Sequence, residues 1–217
     1  MASHGDKNLA KSCNIGKNWQ TTRWRWAEST AGIGSNERRN AAIFIFEIME
    51  VKITDITTWD TVKKAALYTV GKTTVVNSAT EEWVHTMLRA EHSPIHEKIY
   101  HIELIGVPYW VANHFRTHFI GVNYYMSTSR EDRTATQTPR SELPQDAPVN
   151  LLISANAQAL INISRKRLCG KAHKETREVW QSVKDAMAKV DAVMAEFMVR
   201  ECVYRRGCNE LNPCTIR

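Results

Sequence analysis

From Met49 onward, apolar and polar positions alternate in MEVKITDITTW, with Val51, Ile53 and Ile56 set among polar neighbours. A period of two predicts a strand that opens a domain. The period then lengthens: from Asp60 the run TVKKAALYTV is helical, with Thr61 near its start and Gly71 as its stop. A second helix is predicted over about 80–91 (TEEWVHTMLRAE), ending at the HSP turn because the residue before Pro94 is pushed out of the helical region. IYHIELIG, 99–106, alternates again and is rich in β-branched and aromatic residues, which predicts a strand. Pro108 is then placed in the first turn of a helix through VPYWVANHFRTH, where its missing N–H costs little.

Residues 119–146 are polar and irregular, with Pro139 and Pro144, and read as a long connection of the kind that often carries function. Two helices are predicted to close the domain, about 147–168 and 171–200. The first has Asp146 as its cap and Pro148 in its opening turn. The second buries Val179, Val183, Met187, Val190, Val193, Met194 and Met198, and the tail after Cys202 reads as compact and pinned by cysteines. Residues 1–48, rich in Trp, Arg, Ser and Gly, are expected to be a poorly ordered extension or a stretch the working protein lacks. The apolar run 41–48, AAIFIFEI, is alternatively an extra strand.

With 217 residues, 43% of them hydrophobic and 24% charged, the chain can bury an ordinary core as one domain, 49–217, plus appendages. It has no apolar stretch near the roughly 20 residues that cross a bilayer and no signal-peptide core, which predicts a cytoplasmic protein. A net charge of +6 favours anionic partners without choosing between a phosphorylated metabolite and nucleic acid. Five cysteines, an odd number without an export signal, argue against a disulfide framework.

The stretch 156–177, NAQALINISRKRLCGKAHKETR, carries the most chemistry. On one continuous helix Asn156 and Arg167, eleven residues or about three turns apart, share a face, with Asn162 about 120° round the axis. Two amides and a guanidinium so placed suit a planar, phosphorylated ligand; the plainer alternative is a solvated helix face. Upstream, EHSPIHE (91–97) sets two histidines and two acids around a proline, without the H-E-x-x-H spacing of a zinc site. HFRTHFIGVNYYMSTSREDR (114–133) gathers Arg116, His118, Arg130 and Arg133 with Ser127, Thr128 and Ser129, and guanidinium forks with hydroxyls suit phosphate. Cys202, Cys208 and Cys214 recur every sixth residue; with Cys169 they are candidate zinc or iron–sulfur ligands, though the gaps exceed the usual C-x2-C, and buried unlinked thiols are the plainer reading.

Together, RSELP (140–144), NAQALIN, R-x4-A-H-x-E-x-R, EHSP and the HFRTH helix resemble, in order and spacing, the flavin-dependent thymidylate synthases over about 49–180. The resemblance implies an α+β fold, a small antiparallel sheet packed with long helices, and a homotetramer with active sites shared between subunits. It implies reductive methylation of dUMP to dTMP, with FAD as cofactor and NADPH and methylenetetrahydrofolate as co-substrates. Arg167 would contact the nucleotide and stabilise charge on the activated ring, and Ser127 would be the signature serine, these two being catalytic. Arg140, Arg130, Ser127 and Ser129 would bind substrate, Arg140 from a neighbouring subunit. His92, Arg116, His118, Asn156, Asn162 and His173 would face the cofactor, His173 standing where the family has glutamine; no metal is implied. The family's R-H-R-x7-S-x-R is altered: R-T-H-F stands at 116–119, and with His118 as the family histidine and Ser127 as the serine, the arginine comes one position late, at Arg130. That departure keeps dCMP as an alternative substrate. A non-enzymatic reading, in which the Trp and Arg tract at 19–26 and the loop arginines grip nucleic acid, remains the rival.

Overall fold

The computed structural model describes residues 49–74, 77–130, 132 and 138–214. The expectations for 1–48, including the strand at 41–48 and the Trp and Arg tract, and for Arg133 lie outside them.

The elements run β1 (Glu50–Asp55), α1 (Trp59–Thr69), α2 (Glu81–Ala90), a 3-10 turn (Ser93–Glu97), β2 (Ile99–Pro108), α3 (Tyr109–Phe115), β3 (Val122–Met126), a short 3-10 turn (Arg140–Glu142), β4 (Pro148–Asn156), α4 (Ala157–Arg167), α5 (Lys174–Val190), α6 (Ala192–Phe197) and α7 (Glu201–Tyr204). The strands form one sheet, order β1-β2-β4-β3, every pair antiparallel. Tyr100, Ile102 and Leu104 from β2 and Leu151, Ile153 and Ala155 from β4 point to the helical side and are buried. This is the α+β arrangement the sequence predicts.

Four local expectations are corrected. The segment 147–168 is not one helix: Pro148–Asn156 is a strand and only Ala157–Arg167 is helical. Val149, Leu151, Ile153 and Ala155 are buried at alternate positions, so a period of two, not 3.6, governs the first half. The connection 119–146 contains the edge strand β3, whose inward residues Val122, Tyr124 and Met126 alternate with exposed ones. Pro108 ends β2 and precedes α3, which stops at Phe115, so Arg116 and His118 lie on the turn beyond it.

The long last helix is likewise broken, at Asp191 (φ −146°, ψ 92°). One Asp191 oxygen accepts from Trp59 Nε1 and Tyr100 Oη, each at 2.7 Å, and the other accepts the Met194 N–H at 2.9 Å and caps α6. These partners fix the carboxylate where helical geometry would carry it away, and Val190, expected inside, is exposed. Before the break, α5 buries Val179, Trp180, Val183 and Met187, each such side chain contributing about 1.5–3 kcal/mol. Trp180 donates at 2.9 Å to Ser164 on α4, tying the two helices beneath the sheet.

Candidate functional site

Asn156 is the hinge between β4 and α4. Its side-chain oxygen accepts the Ala159 N–H at 2.9 Å, so it is the helix N-cap rather than a residue of the helix face. Asn156 and Arg167 nonetheless face one segment, the turn 117–121: Arg167 meets Thr117 and His118, and the Asn156 amide lies against Gly121 at the start of β3. Gly121 has φ +72°, and a Cβ there would stand 2.6 Å from Asn156 Nδ2; only glycine meets both demands. The Asn156 N–H closes the junction on the Gly121 carbonyl at 3.0 Å.

At the other end of α4, Arg167 is held on three sides by the turn after α3. Its Nε–H donates to His118 Nε2 at 3.0 Å, and Nη2 donates to the His114 carbonyl at 2.7 Å and to Thr117 Oγ1 at 2.6 Å. Since Arg167 has only donors, His118 Nε2 must carry a lone pair and the ring proton sits on Nδ1. Burial, then the charges of Arg167 and Lys166, hold His118 down at about 4. Burial, then Arg167 and His173, likewise lowers His114. Burial also lowers Arg167, against Tyr124, but a guanidinium stays charged. His114 Nδ1 meets Thr176 Oγ1 at 2.8 Å, and Trp110 packs edge-on against His114 (5.3 Å between centroids) and His173 (4.7 Å). His173 thus belongs to this cluster, its Nδ1 2.6 Å from a Glu175 oxygen that lacks hydrogen-bond alignment.

A second network flanks the first. Glu91, the C-cap of α2, has φ +49°, a conformation few carboxylic side chains adopt. Its carboxylate accepts from Gln158 Nε2 at 2.7 Å and from the Arg165 guanidinium, whose plane lies 3.6 Å from the centre of the Tyr204 ring. Burial pushes the Glu91 carboxyl up, but the bonds from Arg165, Gln158 and Tyr204 outweigh it and hold it below the usual range. Asn162 accepts from Gln158 and Arg165, both at 3.3 Å, and its exposed amide leads out of this network. His92 follows Glu91 and is exposed, as is Arg116, whose Nη1 reaches Asn113 Oδ1 at 3.4 Å. Sequence reading passed over Gln158, Arg165, Thr117 and Trp110. The spacing of Gln158, Asn162 and Arg165 on one helix was the available signal, because neighbours three and four apart meet.

The loop hydroxyls and arginines occupy the opposite end of the sheet. Ser127 N–H donates to the Asn150 carbonyl at 2.9 Å, and the Asn150 N–H donates to Ser127 Oγ at 3.0 Å, leaving the hydroxyl proton available. Arg130 pairs with Asp132 through Nε and Nη2, at 2.9 and 2.7 Å. Ser129 is half-buried nearby and Arg140 is exposed on the Arg140–Glu142 turn. Asn150 and Asn156 are six strand residues apart, about 20 Å at roughly 3.4 Å per residue. β4 thus sets Asn156 at one end and Ser127, bonded to Asn150, at the other. Among the described residues no group of three or more His, Cys, Asp or Glu is placed to hold a metal ion, and no helix is long and apolar enough to cross a membrane.

Residues 122–191 match the family model described as thymidylate synthase complementing protein. No curated protein matches the chain in sequence. Among solved structures, the chain is similar to thymidylate synthase X from Helicobacter pylori with FAD and dUMP (TM-score 0.55, 15% identity, 70% of this chain and 99% of that one). A flavin-dependent thymidylate synthase of Helicobacter pylori complexed with FAD and dUMP gives 0.57 at 15% identity, over 70% and 100% of the two chains. The UMP/dUMP methylase PolB from Streptomyces cacaoi, bound with 5-Br dUMP, gives 0.51 at 15% identity, over 68% and 94%. The chain carries the fold of the flavin-dependent thymidylate synthases, and its residues 122–191 match the thymidylate synthase complementing protein model.

Proposed function

We propose that this protein is an FAD-dependent thymidylate synthase, methylating dUMP to dTMP with methylenetetrahydrofolate and NADPH in a homotetramer whose sites are shared. The observation that carries the reading is the family match over 122–191, which spans β3, β4, α4 and α5. It contains Arg167 and the loop residues Ser127, Ser129, Arg130 and Arg140. The separation of Asn156 from Ser127 along β4 supports sites completed by a second copy, the Ser127 loop of one chain joining Asn156 and Arg167 of its neighbour.

The donor set suits the flavin: His92, Arg116 and Asn162 are exposed, and His118 keeps an Nδ1–H, so cations and an amide are available for phosphates and ring edges. Asn156 would contribute its Nδ2 and His173 its ring beside Trp110. FAD, when bound, supplies the hydride that completes the methyl group. The chain's part is positioning and charge. His118, Thr117 and the His114 carbonyl fix Arg167 so that its remaining nitrogen, Nη1, presents its N–H groups to negative charge gathering on the pyrimidine. Ser127 offers its hydroxyl proton to the same ring, Arg140 forks the phosphate, and Ser129 and Arg130 line the substrate loop.

The experiment is release of tritium from 5-tritiated dUMP by purified protein given FAD, NADPH and methylenetetrahydrofolate. Release dependent on all three is expected; FAD binding without dUMP turnover, but with turnover of dCMP, would move the reading to that base.

A further inference from the structure

Four of the chain's five cysteines meet at one place. A cavity of about 220 Å³ between the end of α4 and the C-terminal tail is lined by Cys169, Cys202, Cys208 and Cys214, with the cations Lys166 and Arg200 among its other walls. A stretch of 32 residues, 170–201, separates Cys169 from the first of the three tail cysteines in sequence, so their convergence is a product of the fold. The tail lies close on the α4 end, with Cys214 Sγ 3.6 Å from where a side chain on Gly170 would begin.

The space does not suit a single ion. No three ligating groups among the described residues are placed to hold one, and the cavity far exceeds the roughly 10–15 Å³ that one water occupies. Thiols spread round a space, rather than converging on a point, match a polynuclear cluster, in which each iron takes its own cysteine. Cys169 Sγ already accepts the Lys171 N–H at 3.5 Å, and such N–H bonds to sulfur help set a cluster's potential. The wall's cations, Lys166, Arg200 and Arg205, outnumber its carboxylates, Glu201 and Glu210, and would offset part of the negative charge that four thiolates bring.

From this convergence we propose that Cys169, Cys202, Cys208 and Cys214 hold a four-iron, four-sulfur cluster. The site is separate from the nucleotide reading, and its test does not depend on turnover. Full-length protein purified without oxygen and reconstituted with ferric iron, sulfide and dithiothreitol, which reduces half of the iron, is expected to hold iron and acid-labile sulfide in equal amounts, and to give a reduced-cluster electron paramagnetic resonance signal with dithionite. Cys208→Ser, at an exposed position, and Cys202→Ser should each lose most of that iron while FAD binding and circular dichroism stay as in the unmodified protein. Zinc in place of iron, iron without sulfide, a disulfide among the four, or iron content that both variants leave unchanged would overturn the proposal.

Discussion

The two ends of β4 are built differently. At the Asn156 end, the cap and the close approach of Gly121, and at the far end of α4 the three bonds on Arg167, hold these side chains to neighbours in the same chain. At the Asn150 end, only Ser127 is tied to the sheet, while Arg130 and Arg140 sit exposed on the connection beyond it. The first end is pre-organised within a single copy; the second has cations and hydroxyls with little structure behind them. In the proposed shared site the second set comes from another chain, and that difference sets what each substitution should do.

The largest effect is expected at the organised end. Arg167→Ala should lower kcat/KM for the nucleotide by about 10²–10³-fold, the usual cost of removing a donor aimed at developing charge, while FAD binding persists. Loss of FAD together with nucleotide would mean that Arg167 acts only through the fold. Next comes Gly121→Ala, which should destabilise by about 3 kcal/mol in urea unfolding, since it combines an unfavourable positive φ with a collision at Asn156. Gly71→Ala is the control: φ is +74° but nothing lies within 4 Å, so about 1 kcal/mol is expected. Equal losses at the two glycines would remove the argument that Asn156 and Gly121 are packed as a unit.

Asn156→Ala should cost about 1 kcal/mol through the lost cap, and Asn156→Asp less, because aspartate caps as well. The pH dependence sharpens the same end. His118 ionises at about 4 in the folded protein against an ordinary 6.5, so the unfolded chain takes up its proton first. Stability from this residue is complete above 6.5 and is lost as pH falls toward 4. His118→Asn should flatten that slope; an unchanged slope would place its origin elsewhere, Glu91 included, whose lowered carboxyl acts in the same direction. The smallest effect belongs to the open end: Arg130→Ala should change stability by under about 0.5–1 kcal/mol, as exposed ion pairs do, yet weaken nucleotide binding in the assembled protein.

What could be read from the sequence divides along the same line. α1, α2 and β2 were legible because period, cap and stop signals agree, as at Thr80, which caps α2, and Gly71, which ends α1's turn at positive φ. β4 was not, because Pro148 and Asp146 mimic a helix start while the β-branched alternation after them was outvoted by the helical stretch that follows. Of the expected site residues, Arg167 and His118 are hydrogen-bonded to each other, and His173 is joined to them only through His114. Their hydrogen bonds are not legible, since the irregular turn 117–121 that meets both Asn156 and Arg167 carries no periodic pattern. The break at Asp191 depends on Trp59 and Tyr100, over 90 residues away in sequence, and no local pattern announces it.

In the proposed oligomer each site joins Arg167 of one chain to Ser127 and Arg140 of another. The most direct test is co-expression of two separately inactive variants, Arg167→Ala and Arg140→Ala, followed by assay of tritium release from labelled dUMP. Mixed oligomers are predicted to regain activity, because some sites then take an intact end from each chain; no recovery, with mixed oligomers present, would contradict it.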